Sequence, residues 1–111
     1  MKKKREESVE GRAEYDALLA RLAEAGSVVG GSMMGMPALK AGGKLFAGYT
    51  DGTMTFKLPE PARSRALEIP GARLFDPSGV GRPMKEWVQV PAAASDRWPE
   101  LAEEALAYLR G

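Results

Sequence analysis

The side chains that most often do chemistry are missing or scattered in this sequence. It contains no cysteine and no histidine. Their absence removes thiolate and imidazole metal sites, cysteine nucleophiles and histidine-dependent triads together. One cluster of polar residues remains: Asp76, Ser78 and Arg82, within Asp76-Pro77-Ser78-Gly79-Val80-Gly81-Arg82-Pro83, whose prolines and glycines forbid regular structure. Loops often host chemistry. Aspartate and serine also favour turns for a simpler reason, since their side chains hydrogen-bond nearby backbone amides. The turn is the preferred reading, so no catalytic residue is assigned and the chain is expected to be a non-enzyme.

Other constellations are weighed the same way. Met33, Met34 and Met36 could hold a soft metal through thioethers, but methionine without cysteine or histidine is better explained as adaptable packing. No metal and no cofactor are therefore expected. A nucleotide-binding loop ending at Gly43-Lys44 would need glycine where Ala38 stands and serine or threonine where Leu45 stands. The remaining signal is a mixture of rings and cations: Phe46 and Trp87 alternate onto the same strand side as Lys57 and Lys85. Aromatic rings among cations are how sheets stack bases and hold phosphates. Phe46, Lys57, Arg82, Lys85 and Trp87 are the candidate partner-binding residues, for a nucleic acid or a protein.

Charge supports a basic face and limits its strength. Net charge is only +1, but the signs are segregated. From Glu6 to Ala25 six acidic residues accompany two basic ones, whereas Lys40 to Lys85 holds eight basic residues against four acidic ones. A strongly basic nucleic-acid footprint would be far more lopsided. Glu6 and Glu7 follow Lys2, Lys3, Lys4 and Arg5 where a signal peptide needs an apolar run, and no apolar stretch is long enough to cross a bilayer. The sequence therefore reads as cytoplasmic, with residues 1–7 a disordered tail and 8–111 one domain.

These residues need elements to position them. Tyr15, Leu18, Leu22 and Ala25, with Leu19 beside them, draw one apolar stripe on a helix from Ser8 to Ala25. Trp98, Leu101, Ala102, Ala105 and Leu109 repeat the pattern near the end of the sequence, with Asp96 as cap. Between them, Asp51-Gly52 is a two-residue hairpin turn that fixes register. Tyr49 then faces Met54, Ala47 faces Phe56 and Leu45 faces Leu58, all apolar on one side. Thr50 with Thr53, Gly48 with Thr55 and Phe46 with Lys57 occupy the other. Upstream, Met36 to Lys40 joins Lys44 through a three-residue loop, Ala41-Gly42-Gly43, placing Leu39 opposite Leu45, and Val28 and Val29 extend this strand with a bend. A short helix over Glu60 to Glu68 and a brief strand at Arg73 to Phe75 follow. Met84 to Val90 then alternates, with Met84, Val88 and Val90 on one face and Lys85, Trp87 and Gln89 on the other.

The stretches Ser32-Met33-Met34-Gly35, Leu39 to Ala47, Asp51-Gly52 and Gly81-Arg82-Pro83-Met84-Lys85-Glu86-Trp87-Val88-Gln89-Val90-Pro91 together resemble the TfoX N-terminal domain and YjbR-like proteins. The resemblance covers the chain from about Tyr15 to Leu109. It implies a two-layer α+β domain, an antiparallel sheet packed by helices in the order α-β-β-β-α-β-β-α, which is also the order read from the residues. It further implies a binding or regulatory role with DNA among the proposed partners. The alternative is a small-molecule site beside the Asp76 to Arg82 loop. Self-association through an open sheet edge is a third expectation.

Overall fold

The computed structural model describes residues 10–111, so the expected tail at 1–7 lies outside the described residues. Helix α1 spans Arg12–Ala25, and strands β1 (Val28–Met33), β2 (Met36–Ala41), β3 (Lys44–Thr50) and β4 (Thr53–Lys57) follow. Helix α2 (Ala62–Leu67), strands β5 (Arg73–Phe75) and β6 (Met84–Pro91), a 3-10 segment (Ala92–Arg97) and helix α3 (Trp98–Arg110) complete the chain. The fold is α+β: one six-stranded antiparallel sheet, in the order β1-β2-β3-β4-β6-β5, with helices packed on one face. No helix among the described residues is long and apolar enough to cross a membrane.

The first four strands form a meander built on three similar turns. Met34-Gly35, Gly42-Gly43 and Asp51-Gly52 each place two consecutive residues at positive φ, the left-handed geometry whose twist suits a two-residue hairpin. At Asp51-Gly52 the expected register holds, with Thr50 opposite Thr53, Gly48 opposite Thr55, Tyr49 opposite Met54 and Ala47 opposite Phe56. Val28–Met33 is a strand of its own rather than a bent extension, because Met34 and Gly35 reverse the chain. The Gly42-Gly43 loop has two residues, not three, with Ala41 opposite Lys44.

The extra residue falls inside the strand instead. Leu45 pairs with Lys40 while Ala47 pairs with Leu39, so Phe46 is a bulge with no partner of its own. A bulge resets the alternation of faces. Phe46 joins Ala47 in the main core and is fully buried, and Leu45 moves to the opposite face. The expected pairings of Leu45 with Leu58 and with Leu39, and of Phe46 with Lys57, are thereby overturned. A second shift, between Leu74 and Phe75, leaves Val88 opposite Leu74 and Met84 opposite Phe75. Met84 accordingly packs beside Trp87 and not with Val88.

The core lies between the sheet and the helices. Tyr15, Leu18 and Leu22 of α1, Ala62 and Ala66 of α2, and Trp98, Leu101, Ala102 and Ala105 of α3 cover Leu39, Phe46, Ala47, Tyr49, Met54, Phe56, Val88 and Val90. Burying the leucines, valines, phenylalanines and methionine among them contributes about 1.5 to 3 kcal/mol each. Helix α1 begins at Arg12, after Gly11 at φ +77° against Trp98, and the expected start at Ser8 lies outside the described residues. A Cβ on Gly11 would stand 2.8 Å from the indole Cη2. Asp96 does not cap α3, since residues 92–97 wind as a 3-10 segment first and place Pro99 in the opening turn. The rings of Tyr15 and Tyr49 meet at 5.4 Å under the Arg12 guanidinium, and the Tyr49 hydroxyl donates to the Glu10 carbonyl. Burial raises both phenol pKa values.

Candidate functional site

The other face of the sheet carries no helix, and its side chains fill it. One row runs straight across all six strands: Gly31, Ala38, Gly48, Thr55, Gln89 and Arg73. Its middle is small, and larger neighbours fold over it. Met33, Phe75 and Trp87 form a satellite cluster with Ala38, joined by Met36, Leu45 and Met84. The Met33 methyl lies over Gly48, where a Cβ would come within 3.1 Å of it. This layer is thin, yet it leaves Trp87 only 9% exposed.

The candidate residues therefore separate. Phe46 is on the helix-covered face, so its expected place beside Lys57 is corrected. Trp87 and Lys57 are direct cross-strand neighbours, but the indole is packed against methionines and offers no open ring to a base. Lys57 reaches Glu86 at 3.8 Å. Glu86 also accepts a hydrogen bond of 2.9 Å from the Tyr108 hydroxyl, which raises the tyrosine's pKa. Arg82 and Lys85 are exposed. The methionines divide too: Met33 is buried, Met36 half-buried and Met34 exposed at the first turn. Among the described residues no three acidic side chains gather at metal-binding distance.

Electrostatically the two faces differ. The strand residues that point to the helix-free face include Lys40, Lys57 and Arg73 and no acid, while Glu86 reaches Lys57 and Asp76 lines the cleft at the β5 end. Helices α1 and α3 carry Glu14, Asp16, Glu24, Glu100, Glu103 and Glu104, and four of the six ion pairs among the described residues use acids from these helices. Lys40, Arg73, Arg82 and Lys85 have no carboxylate partner among the described residues. Lys40 alternates with Leu39 onto this face and could have been found from that spacing, whereas the facing of Arg73 depends on a three-residue strand that no spacing rule orients.

At the β5 end of this face, a cleft of about 420 Å3 opens beneath the 76–83 loop, lined by Arg73, Leu74, Asp76, Gly79, Gly81, Pro83 and Gln89. Asp76 organises the loop. Its Oδ1 accepts from the Ser78 hydroxyl (2.6 Å) and the Ser78 and Gly79 amides, and Oδ2 accepts from the Gly81 amide (2.9 Å). The Ser78 hydroxyl, followed by these amides, stabilises the ionised form and lowers the Asp76 pKa. The expected turn role of Asp76 and Ser78 is what these contacts describe, and Arg82 lies outside the set. Beside the cleft, Gln89 donates to the Thr53 hydroxyl at 3.0 Å. Its other neighbour, Thr55, is 1% exposed, with a hydroxyl that finds no partner. Comparison of the chain with protein-family models, with curated proteins and with solved structures gives no match.

Proposed function

We propose that this protein is a cytoplasmic, non-enzymatic binding module of the TfoX N-terminal-like kind, and that the helix-free face of its sheet engages an acidic protein partner. One observation carries the reading: the strand residues pointing to this face include three cations and no acid, while the helices on the opposite side hold most of the acids. Like-signed faces of this sort steer a partner of opposite sign and set its orientation. A methionine-rich apolar layer beneath the cations adapts to irregular contacts. Protein is favoured over nucleic acid because Phe46 is buried on the wrong face and Trp87 is packed away, which removes both stacking rings.

The test compares labelled polyglutamate with duplex DNA and a single-stranded oligonucleotide, each across a salt series. Polyglutamate should bind, weaken with salt, and bind several-fold more weakly to the double variant Lys57→Glu, Arg73→Glu than to Arg21→Glu on α1. Failure of polyglutamate to bind, or binding equally reduced by Arg21→Glu, would overturn the reading. DNA binding in its place would move the partner to nucleic acid.

The cleft supports a second reading, a small anionic ligand held by Arg73 and Gln89. A thermal-shift screen of mono- and dicarboxylates should then raise the melting temperature of the wild type and not of Arg73→Ala.

A further inference from the structure

Among the described residues the sheet has two edges, and only one is guarded. Strand β5 is three residues long and carries the exposed Arg73. Short, charged edges resist pairing with other chains. Strand β1 has six residues, Val28-Val29-Gly30-Gly31-Ser32-Met33, with no charge and no proline. Two of the five exposed large apolar side chains, Val29 (54%) and Met34 (61%), belong to this edge and its turn.

Which β1 groups are free follows from register. The two-residue turn at Met34-Gly35 makes Met33 and Met36 the closing hydrogen-bonded pair, so Met33, Gly31 and Val29 bond to β2. The amides and carbonyls of Val28, Gly30 and Ser32 point outward. Gly30 and Ser32 are exposed, so nothing among the described residues shields these groups from an incoming strand. The flanks are shaped as well. On the helix side, Leu19 of α1 stands over Gly30, with its Cδ2 3.4 Å from where a Cβ would lie. On the other side, the Lys40 side chain crosses from β2 over Gly31, its Cδ 3.1 Å from the corresponding position. An exposed sheet edge accepts an added peptide strand through main-chain hydrogen bonds, and the groups on its two sides meet alternate side chains of the peptide. Gly31 matters here because a side chain there would push the Lys40 stem aside, whereas at Gly30 a Cβ would only touch Leu19.

We propose that the free edge of β1 captures an extended, acidic protein segment by strand addition, with apolar residues against Leu19 and acidic residues against Lys40. This rests on the acidic-partner reading and names the mode of attachment. Charge decides against a second copy of this chain as the occupant. β1 has no acid to offer, and two Lys40 side chains would converge on a seam between paired β1 strands.

The probe is a blocked eight-residue peptide alternating valine and glutamate, titrated into the 15N-labelled full chain. The Gly30 and Ser32 amides should shift and become protected from exchange. Methylating the peptide nitrogens on its bonding side should cost at least about tenfold in affinity, the scale of one or two lost hydrogen bonds. Lys40→Glu should weaken the glutamate peptide by about tenfold and favour a valine-lysine one, while Lys40→Gln shows the loss without reversal. Equal binding of the methylated peptide overturns strand addition. So does protection of Gly30 and Ser32 in a peptide-free dimer found by sedimentation. Shifts confined to Lys57, Arg73 and Gln89 also overturn it but leave the acidic-partner reading standing, whereas loss of polyglutamate binding removes that reading as well.

Discussion

One sheet is packed in two different ways. On the helix side, layers from α1, α2 and α3 interlock with Phe46, Phe56, Val88 and Val90, and a second element stands behind every buried chain. On the other side, strand residues cover their own neighbours: Met33, Trp87 and Phe75 pack with Met36, Leu45 and Met84, and no helix among the described residues backs them. Equal burial does not mean equal support. A helix-backed side chain leaves a cavity when truncated, whereas a side chain in a single layer leaves an opening that water and flexible methionines can fill. The thin face is the one able to rearrange around a partner.

The largest effect should come from Phe46→Ala, which removes a ring from the backed side. A loss of about 3 to 5 kcal/mol in urea denaturation is expected. A loss below about 1 kcal/mol, the scale of a surface change, would return Phe46 to the open face. Met33→Ala removes a side chain of similar burial from the thin side, and about 2 kcal/mol is expected, at the low end for buried methionine. Equal losses from the two variants would break the comparison.

Thr55→Val reverses the sign. The Thr55 hydroxyl is buried beneath the thin layer without a partner, and leaving such a group unpaired costs about 1 to 3 kcal/mol. Replacing it with a methyl should stabilise the protein by about 1 kcal/mol. A destabilised Thr55→Val variant would mean that the hydroxyl is satisfied in solution, most simply by Gln89 turning from Thr53.

How much of this was legible depends on local rules. The Asp51-Gly52 turn gave the register from Thr50 to Ala47, and helical spacing gave Tyr15, Leu18, Leu22 and the α3 stripe. The bulge was readable in principle. Counting from a two-residue Gly42-Gly43 turn puts Lys40 on the same face as Ala47, which the other turn assigns to the core. The two rulers disagree by one residue, so one extra residue must lie between Lys44 and Ala47. Treating the loop as three residues placed that residue in the turn and sent Phe46 to the wrong face. The strand at Val28–Met33 was hidden because its turn uses Met34 at φ 53°, a conformation that methionine rarely signals. The packing of Trp87 depends on Met33 and Phe75, distant in sequence, and no spacing rule reaches that far.

The smallest effect tests whether the cleft loop belongs to either face energetically. Asp76 has a lowered pKa because the Ser78 hydroxyl and the Gly81, Gly79 and Ser78 amides favour its charged form. A depressed carboxylate pKa means that the unfolded state binds its proton first on acidification. The loop's contribution is therefore complete above the ordinary aspartate pKa and is lost as pH falls through the lowered one. Because the carboxylate is exposed, global stability should hardly change. Backbone order at Ser78 to Gly81, read by 15N relaxation, should be high at neutral pH and fall in acid, and Asp76→Asn should lower it at every pH. If acid or Asp76→Asn also loosened Trp87 and Phe75, the loop would be part of the thin layer's support, and the two sides of the sheet would differ less than their packing implies.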